Sequence, residues 1–383
     1  MNLKPTSAFA QGALSRPGYS DRMAWLMAEL ALLAYFPFEN KKLTEAEIEE
    51  LKEKILKSIR KSTGERKDGP EGSELSDSDI ERLIETVAKK HAFANRDQLS
   101  EKLSGLGFKL IEAHSISTET RDTQFFTALT TSEEGGPYTV VVFRGTEFSK
   151  WRDFKTDADA ELVVLTEGGA KGSRVHKGFW GAAEEAAKVI REDLEPYKHL
   201  PRFFSGHSMG GAEAILSTYF LEQDGAGACY TFGAPRTCDE RFGFEIKTPI
   251  YRLVHGYDGV PMLPPRLLIR VLNLIATAIP VVGTQIAEFI DNKLEGYVHL
   301  GDMRYLVHLS DTKDADDVRL TRPVSNPNQI FYLQKWFYAQ FASRFKKAVG
   351  HHSMEGYRDQ LRSIAINRNP KDTEKLIKVR GSN

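Results

Sequence analysis

Four short runs rich in apolar and aromatic residues, separated by helix-length segments, constrain this chain most. Residues 138–143 read Tyr-Thr-Val-Val-Val-Phe, and comparable runs lie at 202–205, 228–232 and 250–254. Brief runs rich in β-branched and aromatic side chains suit strands buried on both faces. Residues 178–194 and 210–221, between them, have helical patterning. Strands alternating with helices predict an α/β fold, a mostly parallel central sheet covered by helices. The carboxyl edge of such a sheet is the expected place for a site. With 383 residues, 41% of them hydrophobic and 27% charged, the chain can build one such domain with insertions across 1–383.

Outside the alternating region, Met23, Leu26, Met27, Leu30, Leu33 and Ala34 predict a helix over 22–36. Residues 41–105 differ in composition. Thr44 with Glu47, and Ser78 with Glu81, have capping-box spacing, and the Gly/Pro-containing stretch 61–72 lies between them. This segment reads as a helical insertion with a solvated, charged surface. A second helical insertion is expected at 266–292. Its uncharged stretch 271–287 contains Pro280 and Gly283, which would break one long helix. A buried hairpin and a lipid-facing lid both fit it. Residues 331–349 interleave Phe331, Tyr332, Trp336, Phe337, Tyr338, Phe341 and Phe345 with lysines and arginine. That pattern suits either an interfacial surface or a core helix with a basic edge.

A formal net charge of −1 offers no global attraction for nucleic acid. Cys229 and Cys238 are the two cysteines, too few for a disulfide scaffold. The N-terminal residues contain no apolar run, so a cytoplasmic protein is the default expectation, with signal-independent export as the alternative. His351 and His352 alone make no metal cluster, and nothing calls for a cofactor.

Gly206-His207-Ser208-Met209-Gly210 follows the run at 202–205 and opens the helical stretch at 210. In the G-x-S-x-G pattern, a strained strand-to-helix turn presents the serine above the sheet, and small neighbours give it room. Ser208 is the expected nucleophile; Gly206 and Gly210 support the turn. A serine hydroxyl needs a base, and the base needs an orienting acid.

Five motifs occur in order within the stretch 138–357. They are Phe143-Arg144-Gly145-Thr146, Val175-His176-Lys177-Gly178-Phe179, Gly206-His207-Ser208-Met209-Gly210-Gly211-Ala212, Thr231-Phe232-Gly233-Ala234-Pro235-Arg236, and Asp258-Gly259-Val260-Pro261-Met262-Leu263-Pro264-Pro265. Together they resemble the class 3 lipases, which include fungal triacylglycerol lipases, plant phospholipases A1 and diacylglycerol lipases. The resemblance implies an α/β-hydrolase fold and a Ser-His-Asp acyl-enzyme mechanism.

It assigns Asp258 as the acid, ahead of Asp224 and Asp239. His352, in His352-Ser353-Met354-Glu355-Gly356-Tyr357, resembles the family's base segment, although His351 stands where aspartate is usual. His299 is the competing base, with a structural role as its alternative. Met209 N–H and Thr146 are the expected oxyanion donors. Asp157 resembles the residue that supports such a threonine, with Phe154 replacing the usual tryptophan. His176 matches a structural family position. The expected substrate is a lipid ester. An esterase for soluble or aryl esters, and a non-catalytic lipid-binding protein on the same scaffold, are the alternatives.

Overall fold

The computed structural model describes residues 18–36, 96–117, 122–131, 136–145, 162–221, 227–256, 258–263, 296–308, 318–321 and 351–368. The expected insertion at 41–105 lies outside the described residues except for helical residues 96–105. The segments 266–292, 271–287 and 331–349 lie outside them too. The chain divides into two compact units, Met1–Tyr35 with Lys102–Asn383, and Phe36–Glu101.

The larger unit is built on a sheet of eight strands: β1 (Phe108–Ser117), β2 (Asp122–Thr130), β3 (Thr139–Phe143), β6 (Arg202–His207), β7 (Cys229–Phe232), β8 (Ile250–His255), β9 (Asp302–His308) and β10 (Val318–Thr321), neighbours in that order. Pairings from β3 to β9 are parallel; β1–β2, β2–β3 and β9–β10 are antiparallel. A separate two-stranded ribbon joins β4 (Leu162–Val164) to β5 (Arg174–His176).

The four runs singled out in the sequence are β3, β6, β7 and β8. All residues of β3, β6 and β7 are buried, including the polar Thr139, Arg202, Ser205, His207 and Thr231, as befits strands covered on both faces. Helix α1 (Asp21–Leu33) follows its N-cap Ser20, whose Oγ accepts from the Met23 N–H at 3.4 Å. Helix α2 (Lys177–Leu194) buries Phe179, Ala182, Ala183, Ala186, Ala187, Ile190 and Leu194, one apolar stripe at helical spacing. Helix α3 (Met209–Phe220) is buried over most of its length.

Alternation along β6 separates the two faces. Phe204 packs with Val141, Phe143, Ala186, Ile190 and Ile215 in one core cluster, while Ser205 Oγ donates to the Met27 carbonyl of α1 at 2.9 Å. Helices α2 and α3 therefore cover one face and α1 the other. Helix α5 (Met354–Arg368) packs on α1. A short helix, α4 (Glu240–Gly243), is capped by Asp239, whose carboxylate accepts from the Phe242 N–H at 3.0 Å. Asp239 also lies 3.6 Å from Arg174, so it has a structural use.

Candidate active site

Strand β6 hands directly to α3 through Ser208, whose backbone is at φ 56°, ψ −126°. It is the one non-glycine residue with positive φ among those described. A side-chain-bearing residue stays there only when its surroundings impose the strain. The Ser208 N–H is tied to the Phe232 carbonyl at 2.9 Å, and the Ser208 carbonyl accepts from Gly211 N–H at 3.0 Å. Gly206 and Gly210 provide the room expected of them. A β-carbon on Gly206 would run into Gly210, and one on Gly210 would lie 2.6 Å from the Arg144 main chain.

Asp258 follows β8 and meets His352, two residues before α5 begins. The His352 Nδ1–H donates to the Asp258 carboxylate, at 2.9 Å to Oδ2 and 3.0 Å to Oδ1. The Ser208 hydroxyl donates to His352 Nε2 at 2.9 Å. All three residues are buried, with exposures of 1%, 5% and 2% for Ser208, His352 and Asp258. Charge developing in such a site is weakly screened. Asp258 Oδ1 also accepts from the Val260 N–H at 2.9 Å, so its turn role and its contact with the imidazole coexist.

The competing histidine lies elsewhere in the network. His299 Nε2–H donates to the Pro261 carbonyl at 2.6 Å, a backbone-holding contact. His176 caps α2, accepting from the Phe179 N–H at 3.3 Å, and its ring stacks on Phe179. Met209 heads α3, where helix N–H groups have no intrahelical acceptor and partial positive charge accumulates. Thr146, Asp157 and Asp224 lie outside the described residues. Cys229 and Cys238 are buried and form no disulfide. Burial pushes both thiols up, Cys238 to about 12.

Three contributors escaped the sequence reading. Tyr357 Oη donates to Asp258 Oδ2 at 2.6 Å. Burial, then the neighbouring Asp258, raises the Tyr357 pKa, so the phenol keeps its proton. Gly233, at φ 59°, lies against the acid: a β-carbon there would be 2.5 Å from Asp258 Oδ2. Both residues stood inside quoted motifs, and that was their available signal. Tyr35, just past α1, hydrogen-bonds to His207 Nδ1 at 2.7 Å, and the His207 ring stacks on His352 at 4.5 Å and 34°. Burial, then the His352 ring, holds the His207 pKa well below its ordinary value.

A mostly parallel sheet, a strained strand-to-helix serine and an imidazole–carboxylate pair at the carboxyl edge define an α/β-hydrolase. Residues 140–268 match the family model described as Lipase (class 3). The chain is 37% identical over 102 residues to the secreted mono- and diacylglycerol lipase 1 of Fusarium solani, covering 24% of this chain and 31% of that protein. It is 34% identical over 138 residues to the lipase of Rhizomucor miehei, covering 33% of this chain and 37% of that protein. The chain thus spans about a third of the length of the curated relatives it matches. Among solved structures, the mono- and diacylglycerol lipase of Aspergillus oryzae aligns at a TM-score of 0.47 and 19% identity, covering 81% of this chain and 88% of that one.

Proposed function

We propose that this protein hydrolyses carboxylic esters of lipids through an acyl-enzyme on Ser208, with His352 as general base and acid, and Asp258 orienting it. The observation that carries this reading is the buried Ser208–His352–Asp258 hydrogen-bond chain, with contacts of 2.9 Å at each step.

In the forward step Ser208 Oγ attacks the ester carbonyl carbon while its proton passes to His352 Nε2. The carbonyl oxygen becomes an oxyanion facing the Met209 N–H, with Thr146 as the proposed second donor and Asp157 as its support. Collapse of the intermediate breaks the bond to the alcohol oxygen, which takes the proton from His352. Water then repeats the sequence on the acyl-serine and releases the fatty acid. Asp258 holds the Nδ1–H tautomer and stabilises the transient imidazolium.

Lipid rather than soluble esters are favoured by the relatives, which are named as lipases acting on mono- and diacylglycerols or simply as lipases. The uncharged stretch 271–287 and the aromatic stretch 331–349 are the proposed lipid-interface contacts. One relative is named as secreted, which weighs toward export over the cytoplasmic default. Among the described residues no helix is long and apolar enough to cross a membrane.

A hydrolysis panel from short p-nitrophenyl esters to long-chain triglyceride and phospholipid dispersions tests the reading. Turnover that rises steeply on dispersed long-chain esters supports it. Turnover confined to monomeric short esters favours the soluble-esterase alternative, and no turnover on any ester favours a non-catalytic protein.

A further inference from the structure

Behind the base lies a second layer of polar side chains that the proposed reaction does not use. His255 ends β8, three residues before Asp258, and is buried. Its Nδ1 contacts the main-chain carbonyl of His351, the residue before the base, at 3.0 Å. Its Nε2 contacts the amide nitrogen of the buried Gln360 on α5. A carbonyl oxygen only accepts, so Nδ1 carries the proton and Nε2 offers its lone pair to the amide N–H. This arrangement matches a neutral imidazole in a single tautomer. The His255 and His351 rings stack at 4.6 Å and 31°, and the His351 ring lies against the backbone of Gly256. The His255 backbone N–H donates to Tyr357 Oη at 3.0 Å, and that hydroxyl in turn donates to Asp258. One residue therefore touches both the segment that bears the base and the tyrosine that holds the acid.

We infer that His255, clamped by Gln360, is a positioning residue that fixes the 351–352 main chain and so aims His352 Nε2 at Ser208 Oγ. The inference rests on the triad reading given above. His352 and Asp258 are 94 residues apart in sequence and sit on different elements, so their alignment depends on such contacts. A misplacement of 1 Å can cost on the order of 100-fold in rate. A bond from His255 to the main chain does not depend on which side chain stands at 351.

The test compares His255→Asn, His255→Gln and His255→Leu in the full chain. Asparagine places an N–H near the Nδ1 position and keeps the donor to the His351 carbonyl. Glutamine reaches the Nε2 position and leucine keeps neither. For each variant, kcat and KM are measured on a soluble p-nitrophenyl ester, alongside Tm and the rate at which a fluorophosphonate labels Ser208. His255→Leu and His255→Gln should lower kcat and the labelling rate about 100-fold with KM within about threefold; His255→Asn should stay within about fivefold of wild type. Wild-type kcat in His255→Leu overturns the proposal, as does an equal fall in all three variants that tracks their Tm. If His255→Leu fails to fold, the asparagine–glutamine contrast decides, because equal kcat in the two overturns the proposal. His352→Ala and Ser208→Ala are run in parallel. If they remain active, the triad reading itself fails; if they are inactive and His255→Leu is not, only the positioning role fails.

Discussion

Tyr357 and the base meet on one oxygen of Asp258: Tyr357 Oη donates a 2.6 Å hydrogen bond to Oδ2 from five residues beyond His352, whose Nδ1 lies 2.9 Å from the same atom. The carboxylate thus accepts from an imidazole, a phenol and the Val260 N–H, and its orientation is determined by three separate elements. Hydrogen bonds to a charged acceptor are worth about 1.5–3 kcal/mol.

Tyr357→Phe removes this donor and strips the His255 N–H of its acceptor. Unfolding free energy should fall by about 2 kcal/mol, read by urea denaturation, and kcat by about tenfold with KM little changed. A variant with wild-type kcat would show that the acid is held without its phenol.

Gly233→Ala tests the space beside the acid. An alanine at φ 59° costs about 1–2 kcal/mol in backbone strain alone, and its methyl would press on Asp258 Oδ2. Activity should fall further than stability does, because the displaced group is the acid itself. Loss of stability with full specific activity of the folded fraction would mean that the carboxylate accommodates the methyl.

The two histidines separate by phenotype. His299 bonds to a backbone carbonyl, so His299→Ala should lower stability by about 1 kcal/mol and leave the folded enzyme active. His352→Ala should abolish turnover with a nearly unchanged melt. The reverse pattern reassigns the base.

Much of this architecture was legible in the sequence, for physical reasons that differ by element. Strands β3, β6 and β7 are buried on both faces, so their apolar runs stand out. Helices α1 and α2 announce themselves by stripe spacing. Strands β1 and β2 pass unread because polar residues interrupt both runs, Glu112, His114 and Ser115 in β1 and Gln124 and Thr127 in β2. Strand β9 carries Asp302 and Arg304, paired at 2.8 Å, which masks it in the same way. Ser208 was readable from one local turn. His352 needed a resemblance, since nothing local distinguishes it from His299. His255 and Tyr35 were unreadable, because their importance lies in contacts made across 96 and 172 positions of chain.

His207 gives the account a pH dependence. Its folded-state pKa is depressed, chiefly by burial, so the unfolded chain binds the proton more readily. Its contribution to stability is therefore lost as pH falls below about 6.5, at about 1.4 kcal/mol per pH unit until the folded-state pKa is reached. His207→Asn removes that titration. The gap in unfolding free energy between wild type and variant should shift in the variant's favour between pH 7.5 and 5.5. A gap independent of pH contradicts a neutral, buried His207.

The central claim is that Ser208 carries the acyl group. Its most direct measurement is the turnover of Ser208→Ala on a dispersed long-chain ester, with the fold monitored by circular dichroism. Removing an activated nucleophile should lower kcat by about 10⁴-fold or more while the spectrum and Tm stay those of wild type. A folded Ser208→Ala protein that retains more than about a thousandth of wild-type turnover contradicts the account.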